Sequence, residues 1–433
     1  MEYFTRLSAS NVEVDSVLSQ ISPAISNFYE NIKEKSHKVR LHESTLGPEE
    51  LIALCRAFLS GNITMSELNH DYEQKVAELL NSNFCLSCNS GSSANLIAIA
   101  ALVESGKIKR GDKLIVPALS WSTTIFPLAQ YGLIPIFIDQ SPSDFNISID
   151  QMNLCLREHT DIRGLMLIHT YGIPADMDKI CELIDKYNLI LVEDTCEAMG
   201  ALWRDRSVGS FGSLGTFSTY FSHHITTFEG GLVLSQDQEL VSIAKSIRSH
   251  GWLRHLDQDS SFFKKYPEHD PGFLFAHTGY NLRLSDPQAA IGLVQLNKLN
   301  SYVEARNKNA RLYENLITNS VLAPHIIFPT VSPYSKPSWF GFPILFPGLS
   351  KSDIYGLRHS LHKKGIESRP FLCGDFTQQP VMKKIPHEIF GDLAFSRLLH
   401  RSSIALPCHQ SLSSLDVTYV VEVLLETYQA LQL

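Results

Sequence analysis

Long apolar runs are missing. No stretch of the 433-residue chain approaches the roughly 18 apolar residues a membrane-spanning helix needs, so no membrane partner is expected. The N-terminus, Met1-Glu2-Tyr3-Phe4-Thr5-Arg6, has no basic segment followed by an apolar core, so no secretory signal is expected. Cysteine is sparse. Eight residues without a framework spacing argue for reduced thiols and a cytoplasmic location. Excess positive charge is also missing. A formal net charge of -8 argues against a nucleic-acid-binding surface, which presents a basic face. It does not disfavour phosphorylated small molecules, which need only a local pocket of amides or cations. The chain has no internal repeat and no low-complexity tract, which sets aside solenoid and disordered classes.

What is present is an ordinary globular composition, 44% hydrophobic and 19% charged, in a chain long enough for two or three structural units. Residues 1–39 read as a helical extension. Val14, Val17, Leu18, Ile21 and Ile25 recur there at three- and four-residue spacing, and Pro23 is expected to kink or break the helix near Ser22. Over 40–300, helices expected at 48–59, 67–80, 96–102, 122–130, 149–156 and 177–187 alternate with strands at 84–88, 113–117, 133–138, 164–169 and 189–194. This alternation implies a large α/β domain with a mostly parallel central sheet covered by helices. Ligands bind such a sheet at the carboxyl ends of its strands. Residues 250–277 are polar and irregular and read as a loop over the site. After a long helix over 301–317, strands near 340–346 and 366–370 and helices over 350–362 and 415–431 make a smaller α+β domain, 301–433.

Four features fall at the predicted strand ends. A turn at Gly91-Ser92-Ser93 precedes a helix and can offer free amides to an anion. Trp121 follows a strand and can stack on a flat ligand. Asp194 ends the apolar strand Ile190-Leu191-Val192, where a carboxylate is costly without a cation. A helix cap for Asp194 and core packing for Trp121 are the competing explanations. The fourth feature is residues 218–231, where Ser218 and paired imidazoles, His223 and His224, precede Glu229-Gly230-Gly231. The Cys85-x-x-Cys88 pair lacks a second pair and reads as strand packing, so no metal is expected.

In this order, Gly-Ser-x-Ala-Asn (91–95), Trp-Ser-Thr-Thr (121–124), Glu-Asp-x-Cys-Glu (193–197), Gly-Thr-Phe-Ser (215–218), Glu-Gly-Gly (229–231) and Gly-Tyr-Asn (279–281) resemble the sugar aminotransferase/dehydratase (DegT/DnrJ/EryC/StrS) family over about residues 40–430. The resemblance implies a type I aminotransferase fold and a pyridoxal or pyridoxamine 5'-phosphate (PLP or PMP) cofactor. In the aminotransferases of this family a lysine holds PLP as a Schiff base, five residues after the phosphate-binding serine and six before the glutamate of Glu-Gly-Gly. Both counts land on His223 here, and residues 218–231 contain no lysine. An imidazole cannot hold the cofactor covalently, but it can move protons near neutral pH.

His223 in that place is similar to the 3-dehydratase branch of the family. That resemblance implies C3 dehydration of a nucleotide-linked 4-keto-6-deoxyhexose, with glutamate as amino donor and His223 as base. It also implies phosphate binding by Gly91, Ser92 and Ser218, stacking by Trp121, and Asp194 on the ring nitrogen, with Glu197 among the cofactor-binding residues. Asn281 would reach the partner subunit's phosphate in a homodimer with shared active sites. Arg283, for the glutamate carboxylate or the sugar diphosphate, and Glu367 and Arg369 are substrate-contact candidates, with ordinary salt bridges as the equal alternative for the last two. A sister branch holds an iron–sulfur cluster on four cysteines and uses a separate reductase. Cys196 would align with the first, but residues 250–256, where the others should begin, contain none, so no cluster and no reductase are expected. The alternatives left open are a C4 aminotransferase, a reductase-dependent enzyme and a non-catalytic homologue.

Overall fold

The computed structural model describes residues 11–31, 38–61, 63–254, 256 and 261–431. Helix α1 (Asn11–Asn31) packs on α2 (Pro48–Leu59), and the Asp15 carboxylate accepts a hydrogen bond from Arg56 at 2.6 Å. The expected break at Ser22 does not occur. Pro23 removes one donor from the helical ladder and is exposed, so water satisfies the freed carbonyl, while Ser22 Oγ donates to Leu18 O at 2.6 Å. Val14 and Leu18 are buried against the body, whereas Val17 is exposed. Residues 1–10 and 32–37 of the predicted extension, and His255, lie outside the described residues.

Helix α3 (Glu67–Leu79) leads into β1 (Phe84–Cys88), and the strand–helix alternation then runs as expected. The elements are α4 (Gly91–Glu104), β2 (Lys113–Pro117), α5 (Ser122–Gln130), β3 (Ile134–Ile138), α6 (Ile149–Glu158), β4 (Ile162–Ile168), α7 (Met177–Tyr187) and β5 (Ile190–Asp194). A short hairpin, β6 (Leu202–Trp203) and β7 (Arg206–Ser207), precedes β8 (Leu214–Ser218) and β9 (Gly231–Ser235). Next come α8 (Gln238–Arg248), a single turn α9 (Ser261–Lys264), α10 (Asp286–Leu296) and α11 (Leu299–Thr318). The remaining elements are β10 (Ser335–Lys336), β11 (Phe342–Leu345), α12 (Lys351–Lys363), β12 (Arg369–Pro370), β13 (Glu388–Ile389), α13 (Ala394–Ser402), β14 (Ser403–Leu406) and α14 (Ser414–Leu431).

Eight strands form the main sheet in the order β1-β9-β8-β5-β4-β2-β3-β13. Only β9 runs against the rest, so the carboxyl ends of β1, β2, β5 and β8 meet at one edge. The strands are nearly continuous apolar runs such as Ile190-Leu191-Val192, because helices cover both faces. Helix α4 is buried at Ile97–Leu102 and apolar on every side there, with Ser92 and Glu104 exposed at its ends. It begins at Gly91, earlier than expected, because Ser90 Oγ caps it by accepting from Ser93 N at 3.0 Å.

A second core gathers Tyr313, Phe342, Ile344, Leu357, Ile404 and Leu424 around the antiparallel sheet β11-β14-β12. β13 leaves this region and pairs with β3 in the main sheet, an element too short to be legible in the sequence. Residues 250–277 also differ from expectation. The described residues among them include a small ribbon, with Leu253 N donating to Leu274 O and Ala276 N to Gly251 O, and none of the described ones lines the cavity of the same chain.

Candidate active site

The carboxyl edge of the sheet opens into a cavity of about 340 Å³. Gly91, Ser92, Trp121, Asp194, Glu197, Ser218, His223 and Arg369 all line it. Gly91 starts α4 directly against the end of β8. A Cβ there would lie 2.6 Å from Ser218 Cβ and 3.0 Å from Cys196 Sγ, so only glycine allows this approach. The first amides of α4 and the Ser218 hydroxyl thus share one corner of the cavity, with the positive end of the helix dipole behind them. Trp121 stands at the mouth with half its surface exposed.

Asp194 and Glu193 are neighbours on β5 and so point to opposite faces. Glu193 organises the Gly-rich loop, accepting from the amides of Gly209, Phe211 and Gly212 at 2.7–2.8 Å. Its buried partner His169 accepts from Ala175 N through Nδ1, so Nε2 carries the proton donated to Glu193. Asp194 lines the cavity. It is 6% exposed and accepts from Asn95 Nδ2 (2.8 Å), Thr124 Oγ1 (2.7 Å) and Cys196 N (3.2 Å). Among the described residues no cationic side chain lies within ion-pair distance of it. A carboxylate buried this way is incomplete without a ligand that brings positive charge or a strong donor.

The two adjacent imidazoles are divided. His224 is fully buried behind the cavity, where its Nε2–H donates to Ser338 O at 3.1 Å. His223 lines the cavity, stacked on Phe340 with ring centres 4.9 Å apart. Its Nδ1 lies 2.7 Å from Cys196 O, a pure acceptor, so Nδ1 carries the proton and Nε2 keeps its lone pair. Burial pushes the His223 pKa down to about 4 against the Cys196 hydrogen bond, and Arg306, Arg369 and His42 add to the effect. At neutral pH this group is therefore a proton acceptor. Glu197 moves the other way. Burial raises its carboxyl to about 7 against the pull of Arg369 and the Tyr171 amide.

Three candidates are not brought to the cavity within one chain. Arg283 Nε donates to Asn281 Oδ1 at 3.0 Å, and both residues are exposed elsewhere. Glu367 Oε2 accepts from Leu41 N at 3.0 Å and ties the 39–41 segment to β12. Asn95 and Thr124, which hold Asp194, were not singled out from the sequence. Both sit inside the quoted motifs, and Asn95 lies one helical turn after Gly91, on the same face. Phe340 likewise sits in a stretch, Ser338–Phe342, that resembles the 3-dehydratase branch, without being singled out as a site residue.

The sequence profile of the DegT/DnrJ/EryC1/StrS aminotransferase family matches residues 45–425. The chain belongs to that family. Among its relatives is the GDP-4-keto-6-deoxy-D-mannose 3-dehydratase of Yersinia pseudotuberculosis, 36% identical over 86% of this chain and 94% of that protein. The dTDP-4-dehydro-2,6-dideoxy-D-glucose 3-dehydratase of Saccharopolyspora spinosa is 32% identical over 90% of this chain and 87% of that protein. A crystal structure of GDP-4-keto-6-deoxymannose-3-dehydratase with a trapped PLP–glutamate geminal diamine superposes with a TM-score of 0.82 at 32% identity, covering 89% of this chain and all of that one. The family's type I aminotransferase fold is thus the fold of this chain.

Within this family fold, three buried imidazoles carry a testable consequence. Burial first, with Arg306 among the further causes, holds His223 and His409 at about 4 and His224 well below its ordinary value. In the unfolded chain each titrates near 6.5, so below that pH the unfolded state binds more protons. Stability is therefore complete above about pH 6.5 and falls as pH drops toward 4. At pH 5 His223 and His409 each account for a loss of roughly 2 kcal/mol, and His224 acts in the same direction. Thermal melts at pH 7 and pH 5 should show the fall, and His409→Gln should make it shallower. Identical slopes for the two proteins would contradict this assignment.

Proposed function

We propose that this chain is a PMP/PLP-dependent lyase that removes the C3 hydroxyl of a nucleotide-linked 4-keto-6-deoxyhexose, with His223 as the base in place of a lysine. The observation that carries this reading is that no lysine lines the cavity among the described residues, while His223 Nε2 is left as a free acceptor there. The cavity suits the cofactor in three further respects. The α4 amides and Ser218 suit a phosphate, the half-exposed Trp121 suits a flat ring, and the unpaired Asp194 suits a protonated ring nitrogen.

When bound, PMP supplies an amine that condenses with the C4 ketone and a protonated ring that withdraws electrons. The side chains do the rest. Asp194 keeps the ring nitrogen charged, and Asn95 and Thr124 hold that carboxylate in line. His223 Nε2 takes the proton released next to the ring and returns it to the hydroxyl leaving C3. An imidazole with a low pKa is a weak base, but once protonated it is a strong acid, which favours the return step. Arg369 lines the cavity without an ion-paired carboxylate and suits the glutamate carboxylate or the sugar diphosphate.

We further infer a homodimer in which Asn281 and Arg283 serve the partner's cavity, since both are exposed and away from their own. The absence of cysteine from residues 250–256 supports a reaction that needs no reductase, and the cysteine usage supports a cytoplasmic enzyme. The test is incubation with GDP-, CDP-, dTDP- and UDP-linked 4-keto-6-deoxyhexoses plus glutamate, with the products read by mass. A 3-deoxy-4-keto sugar and ammonia are expected. An amino sugar as the main product would replace this reading with an aminotransferase, and a requirement for a reductase would restore the cluster-dependent one.

A further inference from the structure

The wall of the cavity behind His223 rests on a turn, residues 338–340. Trp339 in this turn has φ +51°, a left-handed conformation that a bulky residue seldom adopts without outside support. The support is visible. Ser338 N donates to Gly172 O (2.9 Å) and Phe340 N to Tyr171 O (2.8 Å). His224 Nε2 donates to Ser338 O (3.1 Å), and Arg306 Nη1 donates to Trp339 O (2.8 Å) and Cys408 O (3.3 Å).

Arg306 is an unusual member of this set. It comes from α11, on the side away from the cavity, and is 2% exposed. No carboxylate lies within ion-pair distance of it among the described residues, and its Nε has no hydrogen-bond partner. A buried guanidinium without a counter-charge is a poor way to fill a core, where an apolar side chain of similar volume would serve as well or better. One of its two carbonyl contacts is Trp339, the strained residue that precedes Phe340, and the other is Cys408, two residues after β14.

We propose that Arg306 is a positioning residue for His223: it pins the 338–340 turn so that Phe340 seats the imidazole. The groups facing His223 are Arg306 from α11, Arg369 from β12, His42 from the segment before α2, and His224 beside it. The carboxyl groups of Asp194, Glu197 and Glu229 line the same cavity, and Glu197, raised to about 7, is protonated where His223 titrates. Arg306 acts on the imidazole through the turn and Phe340. This inference rests on the reading of His223 as the base.

The test compares wild type with Arg306→Met, Arg306→Lys and Phe340→Leu. One readout needs no turnover. Diethyl pyrocarbonate acylates imidazole only in its neutral form, so the rate of His223 labelling in the cofactor-free protein at pH 7, mapped by peptide mass, reports how the ring is seated. Arg306→Met, Arg306→Lys and Phe340→Leu should each change that rate by about threefold or more. In the holoenzyme each should lower kcat by about tenfold or more, with KM and cofactor affinity changed less than about threefold. A wild-type labelling rate in Arg306→Met overturns the proposal, even if activity falls. If Arg306→Met does not fold, Arg306→Lys and Phe340→Leu decide the pinning role: both should lose kcat, and wild-type kcat in either refutes it. If His223→Ala itself turns over normally, the base assignment fails instead, and the labelling rates still judge the seating of the ring separately.

Discussion

Replacing His223 with alanine is expected to lower dehydration turnover by about 10²- to 10⁴-fold, the range over which a positioned general base acts. Cofactor affinity should change little. The ring touches Cys196 O and the face of Phe340, whereas the corner suited to phosphate is built from α4 and Ser218 on other elements. The vacated space lies between Phe340 and the Cys196 carbonyl, so added imidazole should restore part of the lost rate. Because His223 is neutral down to about pH 4, wild-type kcat should stay flat as pH falls from 7 to about 5, below the point where an ordinary imidazole would already be charged. The measurement is steady-state turnover against pH with and without 50 mM-scale imidazole (about that order, chosen to exceed weak binding). Normal dehydration by His223→Ala would remove the imidazole from the chemistry. Loss of cofactor in the same variant would mean that the ring holds PMP rather than moving its proton.

Counting residues was enough to choose between two adjacent histidines, because the span from Ser218 to Glu229 is fixed by the strands β8 and β9 that flank it. Asp194 was legible for a similar reason. An acid at the end of an apolar strand has few ways to be satisfied, and strand alternation sends Glu193 to the other face. What stayed hidden depends on distant segments. Phe340 and Arg306 are separated from His223 by more than eighty residues, and although Ser338–Phe342 resembles the 3-dehydratase branch, nothing local places either residue against the imidazole. Asn281 and Arg283 are legible as a motif, yet their place away from the cavity of their own chain is a tertiary fact. The start of α4 was misjudged because Gly-Ser-Ser reads as a turn, while the Ser90 cap makes it the first turn of a buried helix. The Pro23 break was misjudged because an exposed proline leaves its orphaned carbonyl to water.

Asp194→Asn is expected to weaken cofactor binding by about 10²- to 10³-fold, in line with the roughly 3–5 kcal/mol at stake when one partner of a buried charged pair is removed. The carboxylate already accepts from Asn95, Thr124 and the Cys196 amide, so every neighbour on the protein side is a donor. An asparagine amide must turn its own NH₂ toward one of these donors or toward the ring nitrogen, and either choice leaves a donor facing a donor. The ring nitrogen would then lose its proton, and the electron withdrawal that drives the reaction would go with it, so kcat should fall even at saturating PMP. Stability separates this from misfolding. The cofactor-free variant should melt within about 2 °C of wild type, because a buried carboxylate without a cation contributes little on its own. The rise in Tm that wild type shows on adding PMP should be largely absent. A variant that keeps wild-type affinity and an undiminished kcat would show that Asp194 is held by Asn95 and Thr124 for packing alone, and that the positive end of the ligand lies elsewhere in the cavity.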